Sequence, residues 1–270
     1  SVNVSDEVFW RKDGVRIPVE YWSHPIECDG VVIGSIATFV DITQRKKSED
    51  EIHRLAFYDS LTGLPNRRLL LDRLQHALVS SARSGRHGAI MFIDLDNFKA
   101  INDTRGHDSG DLLLNETARR LQSCVREGDT VARLGGDEFV VMIEDLGGQV
   151  EQAAAHAEDV AEKIRDNLNL PHMLDGNEYR STASIGICLF EDRTASAADT
   201  LLKNADIAMY QAKGAGRNTV RFFNPEMQAA YPFCRLTGPA NVLVMPAFHS
   251  ASISTKLLQE LGGSTVIGPI

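Results

Sequence analysis

Thr130-Val131-Ala132-Arg133-Leu134-Gly135-Gly136-Asp137-Glu138-Phe139-Val140-Val141-Met142-Ile143-Glu144 is the stretch that decides the fold. Two short apolar runs flank a connection made only of two glycines and two acids. β-branched and aromatic runs joined by a Gly-containing link predict a hairpin, with strands at Thr130–Leu134 and Phe139–Glu144. Glycines at the turn remove side chains, so a backbone can approach a ligand closely. Adjacent carboxylates repel each other unless a cation or a substrate group offsets the charge. A plain exposed turn with acidic tips is the competing reading. It is disfavoured because the flanking strands are apolar and so belong to a buried sheet.

Outward from the hairpin, elements alternate. Periodicity predicts a helix over Asn66–Arg83, with Leu70, Leu74 and Leu78 on one side, and a buried strand over Gly88–Asp94. A helix over Ser109–Arg126 turns Leu114, Ala118, Leu121 and Val125 to the core. Val150–Leu168 reads as a helix, Ser181–Phe190 as a strand and Ala198–Lys213 as a helix. The mixture implies an α/β (α+β) domain on a single sheet, and the hairpin makes that sheet mainly antiparallel, flanked by helices. The strand Ile90 to Ile93 ends in Asp94-Leu95-Asp96. Carboxylates at a sheet edge can hold a hard cation such as magnesium, which favours carboxylate, carbonyl and phosphate oxygens; strand-end aspartates also cap turns.

Composition bounds the rest. The chain has 270 residues, 43% hydrophobic and 24% charged, which suits one domain of roughly 150 to 200 residues plus smaller pieces. A net charge of −9 argues against a duplex nucleic-acid binder, which needs a basic face. It leaves room for a nucleotide, which needs only local cations. Cys28, Cys124, Cys188 and Cys234 are scattered, as reduced thiols are, without zinc or disulfide spacing. No signal peptide and no apolar run near about 18 residues is present, so the expectation is a cytoplasmic chain without a membrane segment.

Before the main domain, Val8 to Asp41 reads as short strands around an Asp29-Gly30 turn. The phrases Phe9 to Glu20 and Ile36 to Thr43 resemble the last strands of a PAS sensor domain, so residues 1–43 are expected to be a truncated PAS-like sheet. Gln44 to Leu55 is strongly charged, with apolar Ile42, Ile52 and Leu55. Residues 44–58 are expected to form a helical linker, either solvated or a parallel signalling helix between two protomers. At the other end, Asn241-Val242-Leu243-Val244-Met245-Pro246 and Lys256 to Gly263 resemble part of the phosphate acetyltransferase fold. Residues 225–270 are therefore expected to be a linker and a fragment too short for an independent core.

Gly135 to Phe139 is similar to the signature of the GGDEF family of diguanylate cyclases, and the likeness runs in order from about Leu55 to Phe223. Asp59 to Arg67, Asp94 to Asp103, Gly106-His107, Gly110-Asp111, Ala205-Asp206, Tyr210 to Lys213 and Gly216-Arg217-Asn218 all resemble its motifs. The resemblance implies a nucleotidyl-cyclase, palm-like domain over 59–224 that condenses two GTP into cyclic di-GMP and two pyrophosphates.

It implies that Asp94, Asp137 and the Leu95 carbonyl hold magnesium, or manganese in its place. Glu138 completes the acidic pocket as a ligand or as a proton acceptor. Asn102 and Asp111 would read guanine, with His107 supporting their loop. Lys213 and Arg217 would meet the β- and γ-phosphates. Asn97, Phe98, Lys99 and the bare backbone of Gly135 and Gly136 would cradle the nucleotide. Arg133 would contact phosphate or pair with a nearby acid. Arg126 and Asp129 fit an RxxD product-inhibition site. Two 3′-hydroxyl attacks require two facing protomers, so a homodimer is implied. A catalytically silent receptor for GTP or cyclic di-GMP and an inactive truncated or chimeric fragment are the rivals; the intact set of site residues favours catalysis.

Overall fold

The computed structural model describes residues 2–174, 177–190 and 198–224. An antiparallel meander of β1 (Val2–Trp10), β2 (Arg16–Cys28) and β3 (Val31–Asp41) leads into helix α1 (Thr43–Phe57). Then come α2 (Arg67–Ser84), β4 (Gly88–Leu95), α3 (Phe98–Arg105), α4 (His107–Cys124), β5 (Thr130–Gly135), β6 (Glu138–Ile143) and α5 (Val150–Asn169). The short strands β7 (His172–Leu174) and β8 (Asn177–Tyr179) precede β9 (Ala183–Phe190), α6 (Ala198–Gly214) and β10 (Val220–Phe222).

The main sheet has the order β10-β9-β4-β6-β5. The β4–β6, β4–β9 and β5–β6 pairings are antiparallel, and β10 joins β9 in parallel. The fold is thus α+β with a mainly antiparallel sheet, as the hairpin implied.

Strand β4 sits at the centre and is buried at every position, which explains its unbroken apolar run. Its side chains alternate between two cores. Ile90 and Phe92, with Val140 and Met142 of β6, pack under Leu70 and Leu74 of α2 and Leu202, Ala205 and Met209 of α6. Met91 and Ile93, with Phe139 and Val141, face Leu113 and Leu121 of α4 and Ala157 and Ile164 of α5.

Helix α2 starts where Asn66 accepts hydrogen bonds from the amides of Arg68 and Leu69 and stops at Gly85, whose φ is 67°. Buried Cys124 and Cys188 are core thiols and Cys28 is exposed, while Cys234 lies outside the described residues.

Several elements escape the sequence reading. Helix α3 is eight residues long, and β7, β8 and β10 are three residues each, all too short for periodicity to register. Helix α4 begins at His107, not Ser109, because Gly106 at φ 86° redirects the chain between α3 and α4. The N-terminal strands are longer than expected, with 13 residues in β2 and 11 in β3. β3 is exposed along its whole length. Helix α1 buries no residue; its ties to the meander include the ion pairs of Arg45 to Glu20 and Lys46 to Asp6 and the Thr43 amide donating to Asp41 Oδ1.

Gly186 of β9 lies directly under α6, where a Cβ would collide with the Ala205 carbonyl and the Met209 amide. Backbone cannot yield there as a flexible side chain would. Gly186→Ala is expected to lower stability by about 3 kcal/mol or more, read from urea unfolding; a loss below 1 kcal/mol would show that α6 is free to move away.

Candidate functional site

The β5–β6 connection is a two-residue turn, since Gly135 pairs with Glu138. Gly135 and Gly136 have φ of 144° and 52°, and Asp137 is not among the residues with positive φ. A positive φ at only the first central residue is the II′ pattern, which demands glycine there. Arg133 locks the turn in place. Its Nε and one guanidinium nitrogen donate to the Gly136 carbonyl at 3.1 and 2.7 Å, and the other nitrogen donates to Asp59 Oδ1 at 2.9 Å.

Asp59 Oδ1 also accepts from the amide and hydroxyl of Thr62 at 2.8 and 2.6 Å. Burial alone would raise the Asp59 pKa, but the Thr62 and Arg133 contacts outweigh it and hold the carboxyl below its ordinary range. Of the two roles open to Arg133, the structure shows the pairing with an acid.

Across the sheet, Asp94 of β4 stands opposite Glu138 of β6, and the Leu95 amide donates to the Asp137 carbonyl at 3.4 Å. The register thus brings Asp94, Asp137 and Glu138 to one sheet end. Asp94 is only 6% exposed and bonds Lys213 Nζ at 2.7 Å. Its pKa is pushed up to about 6, first by burial and then by Asp137 and Glu138, against the lowering effect of Lys213. Burial, with Asp206 and Asp137, raises Glu138 likewise, and burial raises Asp206.

No group of three His, Cys, Asp or Glu side chains among the described residues encloses a metal by itself. Magnesium does not need one: it takes one or two carboxylates and leaves the remaining positions to water and substrate phosphates. A crowded carboxylate pair with raised proton affinity fits that requirement.

The expected phosphate-binding residues lie on α6, on the turn after it and at the start of α3. Lys213 lies on Asp94, and Arg217 is exposed. Arg217 and Asn218 have φ of 66° and 46°, left-handed conformations that cost about 1–2 kcal/mol for a residue like arginine. Asn97 opens α3 at φ 60°; Asn97 and Lys99 are exposed, while Phe98 is buried in the α4–α5 core.

Asn102 projects from α3 toward α4, and its buried Oδ1 has no hydrogen-bond partner. Gly110 makes room for it, because a Cβ there would strike Asn102 Oδ1. Asp111, next along α4, is exposed, as is His107. Arg126 and Asp129 form a local turn in which the Arg126 amide donates to Asp129 Oδ2 at 3.0 Å. Both line a pocket of about 330 Å³ with Tyr58, Pro65 and Arg73.

The family model described as diguanylate cyclase, GGDEF domain, matches residues 56–219, more than half of the chain. The chain belongs to the GGDEF family. MucR of Pseudomonas aeruginosa, named a bifunctional diguanylate cyclase/cyclic di-GMP phosphodiesterase, is 45% identical over 192 residues, 71% of this chain and 27% of that protein. The GGDEF domain of TpbB (YfiN) from Pseudomonas aeruginosa is 37% identical with a TM-score of 0.60, covering 65% of this chain and 99% of that one.

The coiled coil and GGDEF domain of DgcB from Caulobacter crescentus, solved in complex with c-di-GMP, is 26% identical with a TM-score of 0.59, covering 67% and 93%. The chain spans about a quarter of the length of the first curated relatives it matches. A short second match, to the phosphate acetyl/butaryl transferase model, covers residues 222–270, of which 225–270 lie outside the described residues. No described helix is long and apolar enough to cross a membrane.

Within this GGDEF domain, sequence reasoning missed Asp96. It reads there only as the second acid of a strand end, yet it is 4% exposed and fully bonded. The i, i+2 spacing of Asp94 and Asp96 places both on one side of an extended chain, the one signal that could have separated them from a turn cap.

Asp94 gives a pH test. Folding raises its pKa from 3.8 to about 6, so the protonated carboxyl favours the folded state. That contribution is complete below 3.8 and is lost as the pH rises through about 6. Asp94→Asn should therefore stabilise the metal-free protein by roughly 3 kcal/mol at pH 7.5 and by only about 1 kcal/mol at pH 4.5. The freed Lys213, 30% exposed, can turn to water. Thermal melts at the two pH values check this; equal differences at both would refute the burial penalty.

Proposed function

We propose that this GGDEF domain is a diguanylate cyclase: each copy binds one GTP, and two copies join them into cyclic di-GMP with release of two pyrophosphates. The observation that carries the reading is the convergence of Asp94, Asp137 and Glu138 at one sheet end. Carboxylates there would hold magnesium or manganese through Asp94, Asp137 and the Leu95 carbonyl. When bound, that ion neutralises the triphosphate and polarises the α-phosphorus.

The chain's own residues supply the rest. Asn102, with its unpartnered buried oxygen, and Asp111 accept from the guanine N1–H and 2-amino group, which adenine cannot offer. Gly135 and Gly136 let the nucleotide approach the turn, and Asn97, Phe98 and Lys99 bracket its phosphates. Lys213 and Arg217 carry cations to the β- and γ-phosphates. Of the two raised carboxyls nearest the turn, Asp94 already bonds Lys213, so Glu138 is assigned to receive the ribose 3′-hydroxyl proton.

Ring closure needs two such attacks in opposite directions, so two domains face each other and the chain acts as a homodimer. Residues 44–58, as a signalling helix after a PAS-like sheet in 1–43, would set that pairing, and 225–270 would be a phosphate acetyltransferase-like fragment. Cyclic di-GMP would act back on the enzyme at Arg126 and Asp129.

Incubation of the purified chain with GTP and Mg²⁺ should yield cyclic di-GMP, with specific activity rising with protein concentration. Asp137→Ala should lower turnover by about a thousandfold or more. GTP bound without any product at high protein concentration would leave the silent-receptor reading standing in its place.

Arg126→Ala should abolish inhibition by added cyclic di-GMP while turnover at low product continues. Inhibition that persists in the variant removes the RxxD assignment.

A further inference from the structure

Asp96 is buried at the point where three separate pieces of the site meet. Its Oδ1 accepts from the Ser184 hydroxyl at 2.8 Å, and its Oδ2 accepts from the Thr182 hydroxyl at 2.6 Å and from the Asn218 amide at 3.1 Å. Its own amide donates to the Thr182 carbonyl at 2.8 Å. Both carboxylate oxygens are therefore committed, and at 4% exposure neither is available to a cation or a nucleotide. Asp94, two residues earlier, has Lys213 and other acids around it. The two aspartates of one strand end thus have different jobs.

The Asn218 bond is the informative one. Arg217 and Asn218 are consecutive left-handed residues, and a turn of that kind persists only where its surroundings over-determine it. Two contacts do so. The Arg217 amide donates to the Ala212 carbonyl at the end of α6 at 3.1 Å, and the Asn218 amide donates to Asp96. A charge-assisted bond inside the protein is among the stronger single restraints a turn can have. The Thr219 carbonyl, next along, accepts from the Ile185 amide at 3.0 Å, which carries the chain into β10.

We infer that Asp96 is a positioning residue: by holding the Arg217–Asn218 turn against the strand that carries Asp94, it sets where the Arg217 guanidinium stands relative to the carboxylate end of the sheet. The inference rests on the reading that Arg217 meets the substrate phosphates. Asp96 touches neither substrate nor metal; it acts through Arg217.

The test measures binding of 3′-deoxyGTP, which lacks the attacking hydroxyl, and of guanosine to the full chain with Mg²⁺ by calorimetry. Asp96→Ala should weaken 3′-deoxyGTP about tenfold and leave guanosine within about twofold, since the guanine end is carried by α3 and α4. Arg217→Ala should weaken 3′-deoxyGTP by a similar factor, and the double variant by no more than the larger single loss, because both remove one restraint. The Mg²⁺ concentration at half-maximal turnover should stay where it is in the unsubstituted protein.

Losses that multiply in the double variant, or a shifted Mg²⁺ midpoint in Asp96→Ala, overturn the inference and leave the Arg217 reading intact. No loss in Arg217→Ala alone overturns the Arg217 reading and the inference with it. Should Asp96→Ala not fold, hydrogen exchange in the unsubstituted protein decides. The Asn218 amide should exchange at least a hundredfold more slowly than an unstructured peptide amide, and exchange at the unstructured rate overturns the proposal.

Discussion

The pairing of β4 with β6 is the constraint on which the rest of the site depends. In this register Asp94 stands opposite Glu138, and the II′ turn puts Asp137 beside them. Sliding the register by one residue would turn Ile90, Phe92, Val140 and Met142 out of the core they share with α2 and α6 and into the other. The apolar alternation that builds the two cores is therefore the same feature that forces three acids together. Burial first, and then repulsion from the neighbouring acids, raises the proton affinity of Asp94 and Glu138.

Forced proximity of like charges needs a frame that does not yield, and the polar residues around the site supply one. Arg133 ties the Gly136 carbonyl to Asp59, whose Thr62 contacts close the loop between α1 and α2. Asp96 ties the turn after α6 to β9. These two buried clamps use an arginine and a carboxylate, residues that sequence alone would equally assign to ligand contact. Each is buried and hydrogen-bonded within the protein, which rigidifies its neighbourhood. Asp94 and Asn102 differ: one is crowded by acids and the other has a buried oxygen without a partner.

Much of this was legible in the sequence. Long elements with strong patterning, such as α2, β4, α5 and the β5–β6 hairpin, announce themselves through period and through Gly135-Gly136. The short α3, β7, β8 and β10 do not, because three to eight residues carry no measurable period. Site residues were legible as types and spacings, and the structure brings Asp94, Asp137 and Glu138 together. What one dimension could not separate was Asp94 from Asp96, since both are acids at a strand end. Their difference lies in Thr182, Ser184 and Asn218, residues 86 to 122 positions away in the chain. The spacing of four between Lys213 and Arg217 implies convergence only inside a helix. Helix α6 ends at Gly214, so Arg217 is placed by the left-handed turn that follows and not by helical spacing.

The N-terminal part obeys a different balance from the GGDEF domain. Val31, Val32, Ile33, Ile36 and Phe39 on β3, with Ile52 and Leu55 on α1, are exposed, while the GGDEF sheet buries its apolar residues on both faces. Exposed apolar surface of this extent is uncommon on a lone folded unit, and a free strand edge invites pairing. The GGDEF domain differs: its two cores close without help from the meander, which is joined to it through α1 alone among the strong contacts. The cores of the GGDEF domain therefore do not depend on packing against the preceding segment. That division suits the proposed reaction, in which each domain would hold one nucleotide and the bond would form between two.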